Sequence, residues 1–140
     1  MKVKSKKAKG KKQEREGRTV ATRRDIVART FEFAVQVVRL GDRVPKGSVA
    51  GRLLFSQVVR AGTSVGANVE EAQAGESRAD FVHKYGIALK EARETHYWLR
   101  LFKASGILGE ADVNGLINES DEIRRILGRI IVNSKRNREK

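Results

Sequence analysis

The stretch LFSQVVRAGTSVGANVEEA, at residues 54–72, decides the fold of this chain. One series of residues in it recurs at intervals of 4, 3, 4, 3 and 4, at Leu54, Val58, Ala61, Val65, Asn68 and Ala72. Heptad spacing of this kind places the residues along one side of an α-helix and is typical of helices that pack in bundles. Because Ser48 is a favourable N-cap and Gly75 a favourable stop, the sequence predicts a long helix between them.

A first helix is predicted ahead of this stretch, because two parallel stripes repeat there at helical spacing. The stripes consist of Ile26, Thr30, Phe33, Val37 and Leu40, and of Val27, Phe31, Ala34 and Val38. Two adjoining stripes indicate a wide apolar face that is buried in the core. Thr22 and Asp25 form a capping box for the start of this helix, and Gly41 and Pro45 end it.

Two further helices are predicted after Gly75. The third carries Phe81, Tyr85, Ala88, Ala92, Thr95, Leu99 and Phe102, and the fourth carries Val113, Leu116, Ser120, Ile123, Leu127 and Ile130. Ser77 and Asp80 form a capping box for the third helix, which Gly106 ends, and the fourth begins at about Ala111. Four heptad-patterned helices with short loops and no strand-like alternation predict an all-α fold, an antiparallel up-down-up-down four-helix bundle. Gly62 and Gly66 in the second helix indicate close approach of a neighbouring helix or local strain, and we favour close packing.

The charge of the chain is concentrated at its two ends. Residues 1–24 carry a net +9 and residues 135–140 a net +3, which leaves +1 of the total +13 for residues 25–134. We therefore predict a disordered Lys/Arg-rich tail at 1–24, a four-helix bundle at 25–134 and a basic C-terminal tail at 135–140. A polycation joined to a nearly neutral body favours a polyanionic partner, above all nucleic acid.

The cations predicted to bind RNA or another nucleic acid are Lys4, Lys6, Lys7, Lys9, Lys11, Lys12, Arg15, Arg18, Arg23, Arg24, Lys135, Arg136 and Arg138. Lys and Arg contacts to phosphate carry no base information, so we expect salt-sensitive binding with little sequence preference. The chain has no cysteine, and no apolar run approaches the length needed to cross a bilayer. We therefore expect a cytoplasmic protein without a membrane partner.

Residues suited to catalysis or metal binding are few. His83 and His96 point about 220° apart around a helix, so they cannot share a site within one subunit, and we predict no metal and no cofactor. Arg78 and His83 have the R-x4-H spacing of metal-independent ribonucleases built on helical bundles. Arginine is so frequent in this chain that the spacing arises readily by chance. We therefore predict no enzyme activity and keep a helical ribonuclease as a remote alternative.

Polar side chains accompany the seam between the second and third helices. They are Gln57, Arg60, Ser64, Asn68 and Glu71 on the second helix, and Glu91 and Glu94 on the third. Because buried polar groups are costly unless they are paired, we predict a hydrogen-bonded network that fixes helix register, in preference to a catalytic or metal site. The third helix also has apolar residues off its seam, Ile87, Trp98 and Leu101, which predict a homo-oligomer interface.

The runs QVVRAGTSVGANVEEA at 57–72 and IALKEARETHYWL at 87–99 carry a family resemblance. They resemble bacterial four-helix-bundle proteins that include those encoded within 23S rRNA intervening sequences, over about residues 25–132. The chain is similar, more distantly, to the accessory variability protein of diversity-generating retroelements, a pentameric bundle that binds nucleic acid and a reverse transcriptase. The resemblance implies the bundle fold and a homo-oligomer such as a pentamer. It also implies an alternative function, a protein adaptor or scaffold with a reverse transcriptase as partner.

Overall fold

A computed structural model of the protein describes residues 25–75 and 77–138. This part of the chain forms four α-helices and contains no strand. Helix α1 covers residues 25–40, α2 is Val49–Gln73, α3 is Arg78–Ala104 and α4 is Glu110–Arg138, and a 3-10 turn at Gly41–Arg43 follows α1. Helix α2 packs against α3, and α3 packs against α4. The predicted all-α, up-down-up-down four-helix bundle is confirmed.

The helices begin and end where local chemistry favours it. The Ser48 Oγ accepts a hydrogen bond of 2.9 Å from the Gly51 amide at the start of α2. The Ser77 Oγ accepts one of 3.1 Å from the Asp80 amide at the start of α3. Gly106, just beyond α3, has a φ of +74°, a conformation that side chains with a Cβ disfavour. These predicted signals are confirmed, whereas Thr22 lies outside the described residues.

The core contains the predicted seams almost in full. Its buried members include Phe33, Val37, Val58, Val65, Tyr85, Leu99, Phe102, Val113, Ile123 and Leu127. Three buried hydroxyl groups donate to carbonyls of their own helices: Thr30 to Ile26, Thr95 to Glu91 and Ser120 to Ile117, at 2.7 to 2.8 Å. Within residues 25–75 and 77–138, no buried side-chain nitrogen or oxygen lacks a hydrogen-bond partner.

Helices α1 and α2 approach each other closely through glycine. A Cβ on Gly66 would lie 3.1 Å from the Thr30 carbonyl oxygen, and one on Gly62 would lie 3.0 Å from the Val37 methyl groups. The neighbour of Gly66 is backbone, which cannot move aside as a flexible side chain can. The close approach predicted from the two glycines is confirmed.

The predicted wide buried face of α1 is wrong for its second stripe. Phe31 is 61% exposed and Val38 55% exposed, while Val27 and Ala34 are half-buried. Successive residues of a helix differ by about 100° in direction, so only the stripe that begins at Ile26 faces the core. Gly62 and Gly66 let α1 lie close to α2, so this single stripe is enough to fill the space between the two helices. An apolar strip on α1 is left facing outward.

Helix α4 continues to Arg138, beyond the boundary expected at residue 134. Lys135 and Arg136 are therefore exposed residues of a helix that begins in the bundle. Among the described helices, none has the length and apolar character to cross a membrane.

Candidate nucleic-acid interface

Helix α4 changes the sign of its charge half-way along. Its acidic residues, Glu110, Asp112, Glu119, Asp121 and Glu122, all precede Ile123, and its basic residues, Arg124, Arg125, Arg129, Lys135, Arg136 and Arg138, all follow it. Residues 25–138 carry a net charge of only +4, and this half-helix holds a local excess of cations.

The acidic half of α4 is paired with the rest of the bundle. Arg29 of α1 donates two hydrogen bonds to Glu119, which raise the pKa of the Arg29 guanidinium. Arg43 lies 2.8 Å from Asp112. Asp121 accepts from Arg124 at 2.6 Å and lies 3.0 Å from Arg125, and these cations lower the pKa of its carboxyl group. Most of the negative charge of α4 is thus neutralised by neighbouring residues.

The basic half of α4 presents a set of arginines to solvent. We call Arg125, Arg129 and Arg136 the arginine row, and all three are exposed. They share one side of the helix with Val132, at intervals of 4, 3 and 4 residues, and this side is opposite the buried Ile123 and Leu127. Within residues 25–75 and 77–138, no carboxylate oxygen lies within 4.0 Å of Arg129 or Arg136.

The arginine row lies at the end of the bundle where the described chain begins. Thr30 of α1 faces Gly66 of α2, so residue 25 lies toward the C-terminal end of α2. Ser134 of α4 lines the same surface recess as Ala72 and Ser77, which belong to that end. The predicted cations from Lys4 to Arg24 precede residue 25 and lie outside the described residues.

Sequence reasoning did not assign Arg125 and Arg129 to a site. Two signals were present: their spacing opposite the apolar seam, and the reversal of charge at Ile123. The predicted contact residues Lys135 and Arg136 are exposed on α4, and Arg138 lies in its last turn. Of these, Arg136 is aligned with the arginine row.

The structure brings together four members of the predicted polar network. Arg60 of α2 donates to Gln57 at 3.1 Å and to Glu91 of α3 at 3.5 Å, and it also donates to Glu94. Glu94 in turn accepts from the Trp98 indole at 3.3 Å. Because the Arg60 side chain is 49% exposed, this set lies at the edge of the contact between α2 and α3.

The pKa values of the two glutamates of this set are shifted in opposite directions. Burial, reinforced by the neighbouring Glu94, raises the pKa of Glu91 despite Arg60. Burial also acts to raise the pKa of Glu94, but hydrogen bonds from Arg60 and Trp98 outweigh it and lower that pKa. Because the Arg60 hydrogen bond to Glu91 is long, at 3.5 Å, Glu94 is the main ionised partner of Arg60.

The remaining predicted network residues do not join this set. The Ser64 hydroxyl donates to the Arg60 carbonyl at 2.6 Å, and the Asn68 amide donates to the Ser64 carbonyl at 2.8 Å. Both bonds stay within α2, a pattern that short polar side chains adopt readily in helices. Glu71 is exposed.

An apolar patch borders the Arg60 contact. Arg60 of α2 forms ion pairs with Glu91 and Glu94 of α3, and the two helices are antiparallel. The residue one heptad before Arg60 therefore lies beside the residues one heptad after these glutamates. Leu53, which is 66% exposed, is thereby placed beside Trp98 and Leu101. Tyr97, half-exposed, packs edge-on against Trp98 with ring centroids 5.2 Å apart. Leu53, Tyr97, Trp98 and Leu101 form what we call the α2–α3 patch. It includes Trp98 and Leu101 of the predicted oligomer interface, whereas Ile87, also half-buried, lies three turns earlier on α3.

The residues considered for chemistry are separated. Arg78 and His83 are both exposed on α3, and five residues of helix turn them about 140° apart. His96 is half-buried near Asp121, and burial together with Arg100 lowers its pKa. In residues 25–75 and 77–138, no group of three His, Asp or Glu side chains is arranged to hold a metal ion.

Comparison with known proteins places this bundle in a family. The model of the 23S rRNA-intervening sequence protein family matches residues 22–129. The chain belongs to this family. A crystal structure at 1.70 Å resolution, of a protein with unknown function from the S23 ribosomal protein family of Bacteroides thetaiotaomicron VPI-5482, is 37% identical with a TM-score of 0.71. The match covers 79% of this chain and 97% of that chain. A search of curated proteins found no match.

The family boundaries divide the basic residues of this 23S rRNA-intervening sequence family member. The match ends at Arg129, so Arg125 and Arg129 lie within the family domain and Arg136 lies beyond it. Residues 1–21, with most of the N-terminal cations, also lie outside the match. Residues 1–21 and 130–140, which hold most of the terminal cations, are therefore outside the family match.

Proposed function

We propose that the protein is a non-enzymatic, homo-oligomeric four-helix-bundle protein of the cytoplasm that binds RNA or other nucleic acid electrostatically. The observation that carries this proposal is the segregation of charge, with +9 on residues 1–24 and +3 on residues 135–140 against +1 between them. Cations that neutralise phosphates release condensed counterions, and this supplies sequence-independent affinity. The basic half of α4 extends the same excess onto the folded domain.

Deleting residues 1–24 tests the proposal. The crystallised relative is matched over 97% of its length by 79% of this chain, which supports a bundle that folds without the N-terminal segment. Binding of fluorescent single-stranded RNA is measured for the full chain and for the chain that begins at Asp25. We expect deletion to weaken binding by at least about 100-fold at 0.1 M salt, the effect of losing three or four phosphate contacts. Equal affinities would contradict a role for the N-terminal cations.

Self-association is supported by the α2–α3 patch. Leu53 is 66% exposed and is placed near Trp98 by the heptad register, and aromatic anchors of this kind are enriched at protein interfaces. A ring such as a pentamer would repeat the basic segments and raise avidity. Sedimentation at micromolar concentration should give a multiple of 15.6 kDa, and Leu53→Glu should lower that mass. Ala111→Glu, at an exposed position on α4, is the matched control and should leave the mass unchanged.

A second candidate function is a protein adaptor, with a reverse transcriptase as one example of a partner. The exposed stripe of α1, with Phe31 and Val38, favours it because the stripe is separate from the α2–α3 patch. Full-length protein that fails to bind RNA at 50 mM salt, yet is captured by a purified reverse transcriptase, would favour the adaptor. Phe31→Glu should abolish that capture.

A further inference from the structure

We propose that the arginine row of α4, Arg125, Arg129 and Arg136, is a binding site for the phosphate backbone of nucleic acid on the folded bundle itself. The inference rests on the proposed function and deepens it, because it assigns part of the binding to the folded domain. It concerns residues that are distinct from the cations of the terminal segments, apart from Arg136.

The first support is that two of the three row arginines have no acidic partner in the described part of the chain. Arg29 of α1 is paired with Glu119 of α4, and Arg43 of the following 3-10 turn is paired with Asp112 of α4. Arg129 and Arg136, in contrast, have no carboxylate within 4.0 Å in residues 25–75 and 77–138. Arg125 shares Asp121 with Arg124 and is 62% exposed. Arginines without a protein partner keep their guanidinium groups available to phosphate oxygens.

The second support is position along the helix. Cations in the last turn of a helix interact with the helix dipole, but this effect falls off within that turn. Arg125 and Arg129 lie 13 and 9 residues before the end of α4 at Arg138. Dipole complementation therefore does not account for them. The row also faces away from the core, so neither residue contributes to packing between helices.

The third support is the length of the row. At a rise of about 1.5 Å per residue, the Cα atoms of Arg125 and Arg136 are separated by about 16 Å along the helix axis. One strand of B-form nucleic acid presents a phosphate about every 3.4 Å of axis, so the row spans roughly five phosphates. Arginine matches phosphate geometry with two parallel N–H donors, which favours contacts at several points of such a strand.

The charge and the small apolar content of this side of α4 indicate which kind of ligand the arginine row binds. A helix that binds a membrane surface inserts an apolar face, but the apolar face of α4 is buried in the bundle, with Ile123 and Leu127 fully covered. An acidic peptide that docks as a helix needs a hydrophobic groove, and Val132 is the sole large apolar residue among the exposed members of this side of α4. A regular polyanion, nucleic acid, fits what remains.

The test uses the full chain with all three row arginines replaced, as Arg125→Gln, Arg129→Gln and Arg136→Gln. The matched control is Arg39→Gln, Arg52→Gln and Arg93→Gln. These are exposed arginines on α1, α2 and α3 with no carboxylate oxygen within 4.0 Å among the described residues. Both variants lose the same charge. Circular dichroism and thermal unfolding verify that each variant is folded. If the triple row variant does not fold, the single variants Arg129→Gln and Arg136→Gln replace it in the binding assay.

Affinity for a single-stranded RNA and a duplex DNA of about 20 units is measured across a series of salt concentrations. We expect the row variant to bind about 30- to 100-fold more weakly at 0.1 M salt, with the slope of log Kd against log salt lowered by about 2, and the control to change less than about threefold. Similar weakening of both variants would overturn the row as a site while the proposed function stands. Failure of the unmodified chain to bind either nucleic acid at 50 mM salt would defeat both. The inference would also be overturned if the row variant bound RNA as well as the unmodified chain but no longer bound phosphatidylserine vesicles.

Discussion

Two regions of the molecule use arginine in opposite ways. At the contact between α2 and α3, Arg60 donates hydrogen bonds to Gln57, Glu91 and Glu94. Its positive charge is therefore balanced by carboxylates of the same protein. On the basic half of α4, the arginine row points away from the core and Arg129 has no carboxylate nearby in the described part of the chain. Arg60 therefore joins two helices through its ion pairs, whereas Arg129 and Arg136 keep a charge that a partner can bind.

The largest effect is expected where packing alone decides stability. Gly66→Leu places a side chain against the Thr30 backbone, whose carbonyl oxygen would lie 3.1 Å from the new Cβ. We expect a loss of about 3 kcal/mol in the free energy of unfolding, the upper range for overpacking, measured by urea denaturation. Gly86→Leu is the matched control because no atom lies within 4 Å of its Cβ position. A stable Gly66→Leu protein would contradict the close contact of α1 and α2.

Replacing the paired arginine should reduce stability and leave nucleic-acid binding intact. Arg60→Gln removes the cation between Glu91 and Glu94, which then repel each other across a half-buried edge. Because Arg60 is 49% exposed, solvent screening limits the expected loss to about 1 kcal/mol. Denaturation and RNA titration of the same sample measure both quantities. Weakened RNA binding with unchanged stability would reverse the roles assigned to the two regions.

Replacing one unpaired arginine should have the opposite outcome. Arg129→Gln removes an exposed charge outside the core, so the free energy of unfolding should stay within about 0.5 kcal/mol of the original. Affinity for RNA should fall about fivefold at 0.1 M salt, since one phosphate contact is lost. Arg93→Gln, an exposed arginine of α3, provides the comparison. Destabilisation by Arg129→Gln would show that the row belongs to the fold.

The smallest effect concerns pH. Burial and Arg100 lower the pKa of His96 in the folded protein, with Arg124 acting in the same direction and Asp121 opposing them. The folded state then binds fewer protons than the unfolded state, so this contribution to stability is present above about pH 6.5 and is lost as the pH falls through the lowered folded pKa. Between pH 7.5 and 5.5 the midpoint of thermal unfolding should fall by about 1 to 3 °C more than in His96→Gln. Equal changes in the two proteins would contradict the lowered pKa.

The sequence predicted the helices, their caps and the buried seams because these depend on local spacing. Spacing shows which residues share a face, but it does not show how much of that face a neighbouring helix covers. For this reason spacing alone predicts that the stripe with Phe31 and Val38 is buried, although both residues are exposed. The same limit applies to Arg125 and Arg129, whose alignment depends on the orientation of α4 in the bundle.

The polar network shows a further limit of sequence patterns. Arg60, Glu91 and Glu94 have long side chains that reach across the helix contact, and the structure brings them together. Ser64 and Asn68 lie on the same face of α2 but bond to carbonyls of their own helix. The helical spacing shows which polar residues lie on the same face. The length of each side chain then determines which of them connect the helices.

The dependence of RNA binding on salt distinguishes electrostatic binding from every other mode of binding. The full chain is titrated with fluorescent single-stranded RNA at several salt concentrations between 50 and 300 mM, on the order of the range over which phosphate contacts are screened. Electrostatic binding through the terminal cations and the arginine row predicts that log Kd rises linearly with log salt, with a slope of at least about 4. Absence of binding at 50 mM salt, or an affinity that does not change with salt, would contradict it.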